Sequence, residues 1–301
     1  MDGLAAILRC PVCRGELASA GNGLACRSCG RTYAVEDGIP LLLDDDLPGV
    51  ALKRRESAGW VEKARREGWY EPDDAADARL PAGPEDDLGW LGTRHSFQVL
   101  LDRYPVPAGS RVLEVGAAKA WAAPHWRDRG CEYVATDVLV DPKIGLGRGA
   151  FYGDFARVQA DGEHLPFADG VFDLVYCVAT LHHALDLQRM VRELARVARP
   201  GAVVAALNEG TRPLGASADA PDQEAEKELG INEHVHTVWA YVWAFARAGL
   251  VIRRIEHAEG NFQTRAGWKL SQVPKIGTTL ATLVEQNVRN YSGISIYGRK
   301  R

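Results

Sequence analysis

The chain has 301 residues, of which 46% are apolar and 25% charged, and its formal net charge is −4. This composition is ordinary for a globular protein and excludes wholesale disorder and collagen-like architectures, while the length allows about two domains. The sequence contains neither a run of about 18 uncharged apolar residues nor a signal-like N-terminus, so we expect a cytoplasmic protein without membrane contact. The acidic balance argues against nucleic acid as a partner.

Four of the six cysteines are spaced as ligands of one metal ion. They form two CxxC pairs separated by twelve residues, a pattern that favours a zinc ribbon over a disulfide framework. Four thiolates leave no open coordination position, so the zinc is expected to be structural. The predicted ligands are Cys10, Cys13, Cys26 and Cys29, with short strands at 24–26, 32–35 and 39–43.

Residues 44–105 begin with three aspartates and continue as a polar stretch interrupted by several tryptophans. That many aromatic side chains are too many for a free tether, and we expect helices at about 50–67 and 87–104 packed on the next domain. The segment is expected to act either as a lid over a site or as a simple helical connector.

From Arg111 onward, short apolar strands alternate with helical patterns, which is typical of an α/β fold with a mostly parallel, doubly wound sheet. The expected strands are 111–115, 133–137, 158–160, 172–178, 202–207, 251–257 and a final strand at 293–299. The clearest helices are predicted at 187–198 and 238–248, with Thr237 as a candidate N-cap.

The carboxyl ends of these strands carry acidic residues where a dinucleotide site would need a phosphate-binding turn. Glu114 lies within the first strand and repels phosphate but suits a cationic ligand. Asp137 follows Gly116 at the spacing at which a carboxylate accepts hydrogen bonds from both ribose hydroxyls. Asp161 is placed to accept hydrogen bonds from an adenine amine. A positively charged nucleoside without phosphate fits best, and S-adenosylmethionine (SAM) is such a ligand. The candidate cofactor-binding residues are Glu114, Gly116, Ala118, Asp137, Asp161, Gly162 and Cys177.

Three longer motifs resemble the class I SAM-dependent methyltransferases that act on small molecules. They are DGEHLPFADGVFD at 161–173, LHH at 181–183 followed by Asp186, and RVARPG at 196–201. The resemblance implies a Rossmann-like sheet with an antiparallel last strand and SAM as cofactor. The family's first loop usually reads GxGxG, whereas this chain has Gly116, Ala118 and Ala120 there, and each added methyl crowds the methionyl part of the cofactor. Trp121, directly after the loop, either covers the site or packs in the core.

Methyl transfer from a sulfonium is an in-line displacement that needs a general base only when the nucleophile is protonated. Candidate catalytic residues follow the fourth and fifth strands or precede the last helix: His182, His183, Glu209, His234 and His236. Two alternatives to a catalytic role remain open. Each histidine is a hydrogen-bonded packing residue, or the five residues together bind a second metal ion.

The N-terminal ribbon resembles the zinc ribbons of the small activator subunits of tRNA methyltransferases, through CPVC at 10–13 and DGIPLLL at 37–43. A ribbon before such a domain also resembles ribosomal RNA guanine methyltransferases. However, this ribbon is charge-neutral and offers one aromatic residue, Tyr33, for stacking, so RNA is disfavoured as a partner.

The sequence thus predicts a zinc ribbon at 1–43, a helical linker or lid at 44–105 and a methyltransferase domain at 106–301. This last domain carries an insert at about 260–291 whose Phe262, Trp268 and Tyr291 either cover the acceptor or form a dimer contact. We expect methyl transfer to a small-molecule, natural-product-like acceptor. The alternatives are an RNA base methyltransferase and a methyltransferase fold that no longer methylates. The acceptor atom and the oligomeric state stay open.

Overall fold

The computed structural model describes residues 2–83, 88–217, 224–262, 264–287 and 292–301. Within them the chain forms a small four-stranded sheet near the N-terminus and an eight-stranded sheet in the remainder. The described part has no helix that is both long and apolar enough to cross a membrane.

The small sheet follows a six-residue helix, α1 (Asp2–Ile7), and is antiparallel throughout. Its strands, in spatial and chain order, are β1 (Leu17–Ala20), β2 (Gly23–Cys26), β3 (Thr32–Glu36) and β4 (Ile39–Pro40). The prediction missed β1 and made the last strand too long. Beyond Pro40, the Leu41 N–H still donates to the Ala34 carbonyl oxygen of β3, and Leu41 also pairs with Gln159 at the edge of the large sheet.

The segment between the sheets contains helices α2 (Val50–Arg66), α3 (Asp74–Asp77) and α4 (Leu88–Arg103). The two long helices confirm the predicted ones, except that the expected first residue of α4, Asp87, lies outside the described residues. The short α3 was not predicted, and the Asp73 side chain caps it by accepting from the N–H groups of Ala75 and Ala76.

The large sheet has the spatial order β11-β12-β9-β8-β5-β6-β7, and the two-residue β10 pairs with β9. Strand β12 is antiparallel to both neighbours, while β5 to β9 are mutually parallel. The predicted fold class is therefore confirmed: a Rossmann-like, mainly parallel sheet with an antiparallel last strand. The strands are β5 (Arg111–Val115), β6 (Glu132–Asp137), β7 (Ala156–Gln159), β8 (Phe172–Val178), β9 (Ala198–Arg212), β10 (His236–Thr237), β11 (Leu250–His257) and β12 (Ser292–Lys300).

Both faces of this sheet are covered, so its central strands read as nearly continuous apolar runs. The helices after β5 are α5 (Ala123–Arg127), α6 (Leu187–Val197), α7 (Glu224–Glu228), α8 (Val238–Arg247), α9 (Arg265–Ser271) and α10 (Gly277–Gln286), with 3₁₀ helices at Leu146–Tyr152 and Leu181–His183. The Thr237 side chain accepts from the Ala240 N–H, which confirms the predicted N-cap of α8. The predicted insert contains α9 and α10, while Tyr291 lies outside the described residues.

The small sheet packs directly against the large sheet. Leu8, Cys10 and Leu24 share one buried apolar cluster with Leu165 and Phe167 of the large-sheet region. In addition, the Arg14 guanidinium lies 2.8 Å from Glu193 on α6. The two sheets therefore share one hydrophobic core.

Candidate active site

A cavity of about 350 Å³ lies at the carboxyl ends of β5, β6 and β8. The strand order reverses between β5 and β8, and such switch points leave a crevice because the adjoining connections cover opposite faces of the sheet. The floor of the cavity comes from the loops that follow these strands. Its upper wall comes from side chains that precede the large sheet in the chain: Lys53, Glu56, Trp60, Trp69, Leu80 and Trp90.

The loop after β5 keeps a glycine-type backbone although it contains alanines. Gly116 has φ 72°, Ala118 has φ 45° and Ala120 has φ 57°, all in the left-handed region that favours glycine. A Cβ at Gly116 would lie 2.3 Å from the Thr180 side chain, so this position must be glycine. The methyl of Ala118 is exposed and that of Ala120 is buried. The two alanines therefore adopt the left-handed backbone that glycine favours, at a cost in conformational energy.

Asp137 ends β6 directly beneath this loop. Its two carboxylate oxygens accept from the Ala118 N–H at 2.7 Å and the Leu139 N–H at 2.9 Å. Each oxygen keeps a further acceptor site, which is what a pair of ribose hydroxyls would need. Burial raises the pKa of Asp137, and the two backbone N–H groups partly offset this increase.

Asp161 and Gly162 form the neighbouring part of the floor. The Asp161 carboxylate accepts from the Glu163 N–H at 2.9 Å and lies 3.0 Å from His164 Nδ1, so its orientation is fixed. Gly162 is pressed against Met190, because a Cβ there would lie 2.6 Å from the methionine methyl. Together with Val138, Leu139 and Ile144, these residues shape an apolar slot edged by carboxylates.

Glu114 and Cys177 were predicted to contact the cofactor, but the structure places both behind the cavity wall. The Glu114 carboxylate accepts hydrogen bonds from the hydroxyls of Tyr133 and Tyr176 inside the aromatic layer under the sheet. Burial raises the pKa of Glu114 to about 7, against the lowering effect of the two hydroxyls. The Cys177 thiol is fully buried and lies 3.7 Å from Glu209.

The predicted catalytic residues separate into two groups. His183 lines the cavity, whereas His182 and Glu209 lie behind it. Glu209 accepts from the N–H groups of Thr180 and Leu181 at 2.9 and 3.0 Å, and its other oxygen lies 3.0 Å from His182 Nδ1. Burial works toward a raised pKa of Glu209, but these donors outweigh it and lower the pKa. Glu209 thus holds the turn that presents both histidines.

His183 combines burial with acidic neighbours. Its Nδ1 donates to the carbonyl oxygen of Asn232 at 2.7 Å and lies 3.0 Å from Glu56 Oε1. Burial alone would lower the pKa of His183, but Glu56 and Glu233 outweigh it and raise the pKa to about 9.

His234 and His236 are not brought into the cavity. His234 is exposed, and its ring lies 6.3 Å from that of His236, which in turn packs edge-on against Tyr241. Burial lowers the pKa of His236 to about 4, with a smaller contribution from His234. The predicted five-residue second metal site therefore does not assemble as a unit.

The sequence analysis expected residues 44–105 to act as a lid or a connector but assigned none of their side chains to the site. Lys53, Glu56 and Trp60 project from α2, Trp69 and Trp90 come from the following segment, and Trp121 closes the side next to the first loop. The unusual number of tryptophans in residues 44–105 was the available signal for this wall. Trp121 is also buried in the core against Phe97, so both expectations for it describe part of its environment.

The four ribbon cysteines converge as predicted. Their sulfur atoms lie within 4.8 Å of one another, with Cys10–Cys29 at 3.8 Å and Cys13–Cys26 at 3.4 Å. Zinc–sulfur bonds of about 2.3 Å at tetrahedral angles require sulfur–sulfur separations of about 3.8 Å, so this donor set fits a zinc ion.

The fold and cavity define a class I methyltransferase-type domain joined to a ribbon-type domain. Residues 113–206 match the methyltransferase domain family, and residues 3–38 match the Trm112p-like protein family. The chain thus carries both domains, which confirms the resemblances to the class I methyltransferases and to the activator-subunit ribbons.

Curated methyltransferases match a part of the chain. A malonyl-(acyl-carrier protein) O-methyltransferase from Enterobacter lignolyticus is 36% identical over 112 residues, 37% of this chain and 44% of the relative. Methyltransferase GfsG from Streptomyces halstedii is 35% identical over 124 residues, 38% of this chain and 43% of the relative. The chain thus spans less than half the length of these relatives.

Solved structures share the fold at low sequence identity. One belongs to a complex between the Haloferax volcanii Trm112 methyltransferase activator and a candidate methyltransferase, with a TM-score of 0.51 and 21% identity over 75% of this chain and 96% of that one. The 4+2 cyclase SpnF gives a TM-score of 0.55 and 16% identity over 82% of this chain and 95% of that one.

Proposed function

We propose that the protein is a SAM-dependent methyltransferase that acts on a small-molecule acceptor. The observation that carries this proposal is Asp137, a carboxylate with free acceptor sites at the end of β6, beneath a loop with glycine-type backbone. Asp161 and Gly162 complete a slot for the nucleoside, and Gly116 and Ala118 would border the methionyl part. SAM supplies an electrophilic methyl group when bound, and the chain contributes by positioning the reactants and excluding water.

The upper wall supports a small acceptor. Residues 44–105 place Glu56 and three tryptophans over the cavity, so we propose that this segment acts as a lid. It would lie between a ribbon domain at 1–43 and a methyltransferase domain at 106–301. Of the candidate catalytic residues, His183 faces the acceptor, and His182 and Glu209 position it. The RNA alternative is disfavoured further because Tyr33 is 6% exposed and its hydroxyl lies 3.1 Å from Cys10 Sγ, which removes it as a stacking platform.

We also propose one structural zinc ion at Cys10, Cys13, Cys26 and Cys29. Four uncrosslinked cysteines in one ligand set favour a reducing compartment, so a cytoplasmic location belongs to this proposal.

The test is calorimetric titration of SAM and S-adenosylhomocysteine into zinc-loaded protein. Because Asp137 would accept hydrogen bonds from both ribose hydroxyls, Asp137→Asn should weaken the binding of both ligands about tenfold or more. Asp128→Asn changes an exposed carboxylate outside the cavity and is the matched control. This variant should bind both ligands as the wild type does.

Absence of binding of both ligands to folded wild-type protein would refute the cofactor assignment and favour the non-methylating alternative. Equal affinities of the Asp137 variant and the wild type would remove Asp137 from the site.

A further inference from the structure

Two imidazoles and one carboxylate converge beside the cavity. The rings of His182 and His183 have centroids 4.2 Å apart. His182 Nε2 lies 3.6 Å from one oxygen of Glu233, and His183 Nε2 lies 3.9 Å from the other. One donor atom from each of the three residues lies within 4.8 Å of the other two.

The opposite ring nitrogens face acceptors. His182 Nδ1 lies 3.0 Å from Glu209 Oε2, and His183 Nδ1 lies 2.7 Å from the Asn232 carbonyl oxygen. These partners favour hydrogen on Nδ1, so both Nε2 atoms face Glu233. Because the pKa of His183 is raised to about 9, binding of a metal ion at its Nε2 must displace a proton from that atom. Histidines that ligate metals are held in this way, with the outer N–H donated to a carboxylate or backbone carbonyl.

The spacing of the donor atoms suits a cation between them. At 3.6 and 3.9 Å, the contacts with Glu233 are too long for direct hydrogen bonds. Ligand atoms bound at about 2.1 Å are separated by about 3.0 to 3.4 Å in octahedral or tetrahedral geometry, so a modest contraction would close the site. Glu56, Glu209 and Glu233 are all buried here, and the Lys53 ammonium, 3.9 Å from Glu56, offsets part of their negative charge. A divalent cation would offset more of it.

The segment that carries Glu233 is fixed against the histidine turn. The His234 N–H donates to the His182 carbonyl oxygen at 3.1 Å, and the Asn232 side chain donates to that of His183 at 3.0 Å. Helix α2 packs tightly behind it, since a Cβ at Gly59 would lie 2.5 Å from the Leu229 carbonyl oxygen. The three donors are therefore held close together before any ion binds.

We propose that His182, His183 and Glu233 bind a divalent first-row transition-metal ion. Two imidazoles and one carboxylate suit such ions and leave coordination positions open. His183 lines the cavity, so these positions are accessible to an oxygen of the acceptor, such as a hydroxyl. The ion site itself is independent of methyl transfer, whereas its use for the acceptor rests on the proposed function.

The test uses Mn²⁺ as the probe, because Mn²⁺ does not displace zinc from four thiolates. Electron paramagnetic resonance of free Mn²⁺ during titration of zinc-loaded, full-length protein should show saturable binding of one ion per chain. Glu233→Gln should weaken binding about tenfold or more, while His234→Ala, which changes an exposed neighbouring imidazole, should leave it unchanged. Zinc content and thermal unfolding verify that each variant is folded.

Absence of saturable Mn²⁺ binding to folded wild-type protein would overturn the proposal. Bound protons, and not a metal ion, would then offset the negative charge of this cluster. The proposal is also overturned if Glu233→Gln binds Mn²⁺ as tightly as His234→Ala and the wild type do. Titration of S-adenosylhomocysteine into the same samples separates the two proposals. Mn²⁺ binding without nucleoside binding supports the metal site and refutes the proposed function, and the reverse pattern refutes the metal site alone.

Discussion

The buried carboxyl group of Glu114 should make the stability of the folded protein depend on pH. Its side chain is 1% exposed and accepts hydrogen bonds from two tyrosine hydroxyls, and burial raises its pKa from 4.5 to about 7. In the unfolded chain the group ionises near the lower value. Stability is therefore greatest below that value and is lost as the pH rises through the folded-state pKa.

The magnitude follows from the two pKa values. Each unit of difference is worth about 1.4 kcal/mol, and integration between pH 5.5 and 8.0 gives a loss of about 2 kcal/mol from this group. Glu114→Gln removes the titration but keeps a carbonyl oxygen for the tyrosines. The wild type should therefore lose about 2 kcal/mol more unfolding free energy over this range than the variant.

Urea unfolding of zinc-loaded protein at the two pH values, followed by tryptophan fluorescence, measures this double difference, in which other titrating groups cancel. Glu132→Gln, an exposed glutamate on the adjacent strand, should behave as the wild type. If the unfolding free energy of Glu114→Gln depended on pH as that of the wild type does, the assignment of a buried carboxyl with a raised pKa to this layer would be refuted. If Glu114→Gln instead lost SAM binding while staying folded, the original assignment of Glu114 to the cofactor would be restored.

Two further predictions concern the first loop and the ribbon. Ala118→Gly should raise the unfolding free energy by about 1 kcal/mol, because its exposed methyl contributes little packing at φ 45°, whereas Ala120→Gly should gain nothing because a buried methyl is lost. Equal effects in chemical denaturation would contradict this distinction. Cys10→Ser should abolish stoichiometric zinc and lower the melting temperature of the whole chain, because the ribbon shares its core with the large sheet. Retention of one zinc per chain would contradict the four-thiolate site.

The sequence alone determined the features that depend on local spacing. Two CxxC turns predict the cysteine cluster, and the alternation of strands and helices predicts a mostly parallel sheet. In a parallel sheet, residues that follow successive strands meet at one edge, which is why Asp137 and Asp161 could be assigned to the cavity from their positions. Thr237 likewise predicted the start of α8, because an N-cap side chain bonds to N–H groups within one helical turn.

Only the tertiary structure decided which side chains face one another. Side chains alternate along a strand, so Glu114 points into the aromatic layer although it lies beside residues that border the cavity, and the sequence does not say which face is which. Glu56 and Glu233 join His183 from segments more than 120 and about 50 residues distant in the chain. Such convergence depends on how α2 and the 231–234 segment pack, and packing is a property of the whole core that local patterns do not encode.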